Sequence, residues 1–170
     1  IGNELLPRPA VVNCFHGRKG PSIARDNPKQ IHRTADLGRP GVRVVNRKLG
    51  TGTRLLFDQE LKSAGCHTRR LAGYDREVAR HMDVGLAILA GTADAGPCIQ
   101  PVAEKLGLHF IPWRWERYDL LILKECFFDP AVQGFLGLLH EKAFHDLADG
   151  LNGYDLSISG KMIFPTHIGN

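Results

Sequence analysis

The stretch from Val42 to Leu56, VRVVNRKLGTGTRLL, constrains this chain more than any other. Four residues with the character of a buried strand, Val42 to Val45, run into a polar turn punctuated by Gly50 and Gly52. An apolar-periodic segment follows, and its spacing predicts a helix from about Thr51 or Thr53 to Ser63, closed by Gly65. Strand, glycine-rich turn and helix start in succession gather unpaired backbone N–H groups at the positive end of a helix dipole, which is a seat for an anion. Gly50 and Gly52 allow close approach of the backbone, Thr51 and Thr53 add hydroxyls, and Arg47, Lys48 and Arg54 add positive charge. The plainer reading is that Thr51 or Thr53 simply caps the helix and that the arginines are solvated.

Composition narrows the class of protein. With 170 residues, 43% hydrophobic and 24% charged, the chain is long enough for one domain or two small lobes with a buried core. A net charge of +4 suits an anionic ligand and does not by itself specify nucleic acid. No apolar run approaches the roughly 20 residues of a membrane span, and the start has no signal-peptide pattern. Cys14, Cys66, Cys98 and Cys126 stand far apart without a C-x-x-C pair, so a zinc ribbon is not expected. They read as thiols of a reducing, cytoplasmic compartment, with two disulfides in an exported, periplasmic protein as the alternative. The chain begins Ile1-Gly2-Asn3, which reads as a fragment or a processed form.

Along the chain, residues 1–9 form a lead-in. A short strand is expected over Ala10–Phe15, a turn over Gly17–Pro21, and a brief helical turn capped by Thr34. After the opening motif come a turn at Gly73–Asp75, a helix over Arg76–Ala90 with Val78, Met82, Leu86 and Leu89 on its apolar face, and a small-residue strand over Thr92–Gly96. A short helix over Ile99–Leu106, a strand at His109–Pro112, a Trp113–Glu116 bridge, a strand over Arg117–Leu123 and a helix over Ala131–His140 complete the order. A further helix is expected over Ala143–Asp149, and Lys161–Asn170 as a loose tail. This alternation argues for an α/β fold with a mostly parallel sheet flanked by helices, where ligands collect at the carboxyl ends of strands.

Five ordered blocks carry a family resemblance: Asn46-Arg47-x-x-Gly50-Thr51-Gly52-Thr53-Arg54, Gly73-Tyr74-Asp75-Arg76-Glu77, Gly91-Thr92-Ala93-Asp94-Ala95-Gly96, Gly107 to Pro112, and Glu116-Arg117-Tyr118-Asp119-Leu120. Together they resemble the periplasmic-binding-protein-like domain of type II, similar to molybdate and tungstate solute-binding proteins, that is fused to molybdopterin-biosynthesis proteins and to molybdenum-responsive regulators. The resemblance spans residues 10–155, with 40–112 as one lobe, the remainder as hinge and part of the other lobe, and 156–170 as a tail. It implies that an N-terminal lobe segment is missing from this chain, that a small oxyanion is bound or sensed in connection with molybdenum cofactor synthesis or regulation, and that nucleic acid is met only through a fused domain. Here Thr51 stands where the family often has serine, and Gly96-Pro97-Cys98-Ile99 departs from the family's Gly-x-Gly-Ile.

The resulting ligand-binding set is Asn46, Arg47, Gly50, Thr51, Gly52, Thr53, Tyr74, Glu77, Asp94, Arg117 and Tyr118, with no catalytic residue, metal or cofactor. Arg47 offers a bidentate, charge-assisted contact. Tyr74 is placed to close over the ligand, and Glu77 either orients Arg47 or is a first-turn acid favoured by the dipole. Asp94 orients a donor or caps a turn. Arg117 and Tyr118 are ligand contacts, hinge residues or surface residues. Arg114 between Trp113 and Trp115 suggests a cation–π contact. A second class of reading, an enzyme for an anionic substrate, rests on Asp94, His81 or Cys98, although none has an evident catalytic partner. His140 and His145, five apart, miss the spacing of a helical metal pair. A third reading is an interaction lobe that binds nothing.

Overall fold

The computed structural model of the chain describes residues 9–163. In chain order its elements are β1 (Ala10–Ile23), β2 (Asn46–Arg47), α1 (Gly52–Ser63), β3 (Glu77–Val78), α2 (His81–Leu89), β4 (Ala95–Ile99), α3 (Gln100–Lys105), β5 (His109–Phe110), β6 (Arg114–Ile122), α4 (Pro130–Leu138), α5 (Lys142–Asp149) and β7 (Tyr154–Asp155). Two units divide them: Arg18–Trp115, and the residues up to Gly17 together with those from Glu116 onward.

In the Arg18–Trp115 unit the valines of the opening motif set the layering. Side chains of a strand alternate between faces. Val42 and Val44 pack with Phe57 and Leu61 of α1, Ile23, Ile31, Leu37 and Leu71. Val45 packs on the other side with Val84, Ala87 and Ile88 of α2, and with Cys98, Ala103 and Leu108. Helices therefore cover both faces of this strand, and each fully buried valine or leucine contributes on the order of 1.5–3 kcal/mol.

The mostly parallel sheet expected from the alternation is only partly present. Parallel pairing joins Asn46 to Glu77 and Arg47 to Val78, and continues in the bridges Arg43–Ala72 and Val44–Ala95. The longer pairings are antiparallel: Lys19–Ile23 of β1 runs against Ile99–Ala95 of β4, and Ser22–Ile23 against Phe110–His109 of β5. The cause lies in β1, which is one 14-residue strand where the sequence predicts a short strand and a turn. Gly20 is there for close packing: a Cβ on it would come 1.9 Å from the Ile111 carbonyl oxygen. Pro21 faces Pro97 across the ladder, a pair in which neither residue has an N–H to give.

Other boundaries move for local reasons. The expected helix Arg76–Ala90 starts only at His81, because Glu77 and Val78 are drawn into the pairing with β2. Its buried face is Val84, Gly85, Ala87 and Ile88, while Leu86 and Leu89 are exposed. The small-residue strand lies at Ala95–Ile99, and Gly96 is small because a Cβ would meet the Val45 carbonyl oxygen at 2.6 Å. Thr34 opens a 3₁₀ turn, Thr34–Gly38, without capping it, and its hydroxyl accepts from Trp113 Nε1 at 2.8 Å. The Trp113–Glu116 bridge largely joins β6. Arg114 pairs with Glu60, and the arginine stacked on a tryptophan is Arg18, over Trp115 at 5.5 Å.

The other unit has its own small core of Val12, Ile122 and Leu139, flanked by Leu120, Phe127, Val132, Leu136 and Phe144. Here β1 pairs with β7 through His16–Asp155 and Gly17–Tyr154. Asp129 caps α4, accepting from Ala131 N at 2.8 Å ahead of Pro130, as its sequence predicts. Lys161–Ile163, expected as loose tail, are held against β1: Asn13 N donates to Lys161 O, Met162 bridges Val12, and Ile163 N donates to Val11 O. The expectations for residues 1–8 and 164–170 lie outside the described residues. Among the described residues no helix is long and apolar enough to cross a membrane.

Candidate functional site

The carboxyl edge of β2 carries the first half of the site. Asn46 is fully buried and serves as a brace: its Oδ1 accepts from Arg47 N at 2.9 Å and its Nδ2 donates to Tyr74 O at 3.3 Å. Arg47 follows, only 8% exposed, with Nη2 donating to the Ala79 carbonyl at 2.7 Å. The chain then turns through Lys48, Leu49 and Gly50, which are exposed, and the turn requires the left-handed conformation that Gly50 adopts (φ +87°).

Thr51 is the N-cap of α1. Its hydroxyl donates to Lys48 O at 2.9 Å and accepts from Arg54 N at 3.3 Å. That hydroxyl is therefore committed to the cap. Thr53 is different. It is 5% exposed, and its hydroxyl has no hydrogen bond among the described residues. The first N–H groups of α1, on Gly52 and Thr53, also have no intrahelical acceptor. This 12-residue helix thus presents the Thr53 hydroxyl and N–H groups without intrahelical acceptors together at its positive end.

Arg54 faces away from that end into a buried network. Its Nη1 donates to Glu77 Oε1 at 2.9 Å and to Arg47 O at 3.2 Å, and its Nε reaches Asp58 at 3.2 Å. The guanidinium lies 4.4 Å from the centre of the Tyr74 ring, and the Tyr74 hydroxyl donates to Asp58 Oδ1 at 2.7 Å. Tyr74 and Glu77 therefore brace α1 against β3, and Glu77 holds Arg54 where the sequence reading placed it on Arg47.

Three residues of the expected set lie elsewhere. Asp94 binds Arg43, accepting from its backbone N at 2.8 Å and its Nη2 at 3.0 Å. Burial works against the Asp94 carboxylate, yet Arg43 outweighs it and holds the carboxyl below its usual range. Arg43 is four residues before Arg47, about 13 Å along a strand at roughly 3.3 Å per residue, so Asp94 marks the amino edge. Arg117 and Tyr118 belong to the other unit, where Arg117 Nε pairs with Asp119 at 2.6 Å and the Tyr118 ring stacks on Phe15 at 4.6 Å.

Two residues join the edge that sequence reasoning did not place there. Lys19, 4% exposed, lies opposite Ile99 in the β1–β4 ladder, one residue before α3 begins. Its signal was hidden because GRKGP reads as a turn. His81 is the first residue of α2, and its Nδ1 is buried with no partner. Burial, then Arg47, then Lys19 push the His81 imidazole down to about 3, so it is neutral near pH 7. Cys98, a nucleophile in the enzyme reading, is fully buried, donates to His81 O at 3.6 Å, and is pushed up by burial. All four cysteines are free thiols, and among the described residues no group of three His, Cys, Asp or Glu could hold a metal ion.

Residues 3–140 match a family described as the PBP superfamily domain. The chain is 30% identical over 156 residues to the uncharacterized protein YvgK of Bacillus subtilis (strain 168), covering 92% of this chain and 50% of that protein. It thus spans about half the length of that relative. It is 32% identical over 114 residues to an uncharacterized protein in the ferredoxin 2Fe-2S gene 5' region of Clostridium pasteurianum, covering 64% of this chain and 97% of that one. Among solved structures, PEB3 with L-phospholactate bound is similar at TM-score 0.61 and 14% identity, over 85% of this chain and 68% of that chain. The ancestral amino acid-binding protein AncCDT-1, a precursor of cyclohexadienyl dehydratase, follows at TM-score 0.56 and 17% identity, over 89% and 65%. At these identities the likeness is one of fold, an α/β fold resembling type II periplasmic binding proteins.

Proposed function

We propose that this chain, which belongs to the PBP superfamily domain family, binds a small oxyanion at the carboxyl edge of its Arg18–Trp115 unit. The observation that carries the reading is the start of α1: the hydroxyl of Thr53, a residue 5% exposed, stands beside N–H groups that have no intrahelical acceptor. An oxyanion is rich in acceptors and satisfies both kinds of donor at once. Buried Arg47 and Lys19 supply the favourable field in a region of low dielectric. Gly50, Thr51 and Gly52 shape the turn, Asn46, Tyr74 and Glu77 hold Arg47 and α1 in place, and Asp94 acts at the far edge.

Within that reading the ligand is of the molybdate or tungstate type, and the domain serves molybdenum cofactor synthesis or regulation as one part of a larger protein. The other unit, with Arg117 and Tyr118, is part of a second lobe completed by further polypeptide. Its apolar exposure supports this: Phe128 is 83%, Leu147 74% and Leu121 69% exposed. Ligand capture then shifts the population toward a closed state. Any contact with nucleic acid runs through a fused domain. The enzyme reading finds less support, since Cys98 is sealed in the core and Asp94 stands at the opposite edge from His81.

The test is thermal unfolding of the intact protein with sulfate, phosphate, molybdate, tungstate, L-phospholactate and a set of amino acids. The expected result is a rise in Tm with one or more of the oxyanions, lost in Thr53→Val. A rise with amino acids and with none of the anions would overturn the proposal.

A further inference from the structure

The amino edge of the Arg18–Trp115 unit carries a second recess. It is a hollow of about 110 Å³ beside the Asp94 carboxylate, lined by buried Ile31, Ile88 and Ala93, by half-buried Ala24 and by exposed Lys29. An apolar cavity of about 150 Å³ holds benzene, so this one is sized for a small aliphatic group such as a valine side chain.

Cations stand around it, and hydrogen bonds place two of them. Arg39 Nη2 donates to Lys29 O and, at 3.0 Å, to Gln30 O, and its Nε donates to Asp36 O at 3.3 Å. Arg76 Nη1 donates to Thr92 O at 3.0 Å, next to Ala93 of the hollow. Carbonyls orient these two guanidinium groups without cancelling their charge. Lys29 lines the hollow itself, and its ammonium has no hydrogen bond among the described residues. Arg43 differs, because Asp94 already pairs with it. Lysines and arginines outnumber acids in the Arg18–Trp115 unit and the reverse holds in the other, so the net charge of +4 understates the positive charge of this unit.

The loop that carries Lys29 has a fixed shape. Asn27 and Gln30 both have a left-handed backbone (φ +42° and +49°), which is uncommon for residues other than glycine. Asn27 closes the loop, its Oδ1 accepting from Ile31 N at 2.8 Å and its Nδ2 donating to Ile31 O at 2.9 Å. Arg39 clamps the two carbonyls before Ile31. A recess held in this way is ordered before a partner arrives, which lowers the entropy cost of binding.

We infer that this recess docks an acidic polypeptide segment, with one small aliphatic side chain in the hollow and carboxylates on Lys29, Arg39 and Arg76. A guanidinium matches a carboxylate at two points in one plane. The apolar lining favours a polypeptide over a nucleic acid, which has phosphates for the cations and no aliphatic side chain for the hollow. Leu86 and Leu89 add exposed apolar surface on the helix that supplies Ile88.

The test titrates the intact, isotopically labelled protein with a capped pentapeptide in which valine is flanked on each side by two acidic residues, followed by nuclear magnetic resonance. The expected result is a saturable shift of the Lys29, Ile31, Ala93 and Asp94 amide signals, with affinity falling at least about tenfold between low salt and about 0.5 M salt. Replacing the peptide's valine with glycine is expected to weaken binding about tenfold. Lys29→Gln combined with Arg76→Gln, both on exposed side chains, is expected to weaken it about fivefold, whereas Lys142→Gln in the other unit leaves it unchanged. No shift of these signals at millimolar peptide, or equal binding of the valine and glycine peptides, would overturn the inference. A DNA duplex that shifts them where the peptide does not would also overturn it, in favour of nucleic acid. None of these outcomes depends on anion binding at the carboxyl edge.

Discussion

The Arg54 guanidinium donates to the Glu77 carboxylate at 2.9 Å, and this pair ties the first turn of α1 to β3. Arg54 is buried while Glu77 keeps about a third of its side-chain surface, so the pair is partly screened. Glu77→Gln is expected to lower stability by about 1–2 kcal/mol in urea unfolding, and Arg54→Ala by about 3 kcal/mol, because the latter also abandons Asp58 and the Tyr74 ring. Equal, negligible losses would show that α1 does not depend on this network.

Gly20 and Gly52 are expected to respond in opposite ways to the same methyl group. At Gly20 a Cβ would lie 1.9 Å from the Ile111 carbonyl oxygen, so Gly20→Ala should cost about 3 kcal/mol as β5 is pushed away. At Gly52 nothing lies within 4 Å, so Gly52→Ala should leave stability within about 1 kcal/mol of wild type. The methyl at Gly52 stands where the oxyanion must approach, and anion affinity should fall at least tenfold in a titration of the folded variant.

The pH dependence of stability follows from His81. Its ring is held near 3 in the folded protein, against about 6.5 in the unfolded chain. Below about pH 6.5 the unfolded state binds the proton and the folded state does not, so stability is lost as pH falls from about 6.5 toward about 3. The slope is at most about 1.4 kcal/mol per pH unit. Paired denaturant titrations of wild type and His81→Gln should differ in this window and converge above it. Parallel curves throughout would contradict the assignment.

Asp94 supplies the contrast at the amino edge. Asp94→Asn removes the ion pair with Arg43, whose side chain is half exposed, and should cost about 1 kcal/mol. Anion affinity should be unchanged within about threefold. A large loss of affinity would mean that the two edges of the sheet are coupled.

Sequence and structure agree most closely where local chemistry is self-sufficient. Whereas the strand expected at Val42–Val45 is present as single bridges at Arg43 and Val44 ahead of β2 at Asn46–Arg47, the turn and helix from Gly50 to Ser63 are legible because the Thr51 cap and Gly50 each act within a few residues. The same holds for Asp129 and Pro130 at α4. The rest depends on distant partners. Gly20 and Pro21 look like a turn until Ile111 and Pro97 are placed beside them, and Lys19 was hidden with them. Glu77 and Val78 look helical because β3 exists only through its pairing with β2. Tyr74, expected to close over the ligand, gives its hydroxyl to Asp58, a contact that no spacing rule reveals.

Oxyanion binding at the carboxyl edge of β2 is tested most directly by calorimetric titration of the intact protein with molybdate, tungstate, sulfate and phosphate, alongside Arg47→Ala and Arg47→Lys. The account predicts saturable binding of at least one anion, weakened at least tenfold by Arg47→Ala and not restored by Arg47→Lys, because an ammonium lacks the planar fork. An anion that binds equally well to wild type and to Arg47→Ala would contradict it, as would no binding by any of the four.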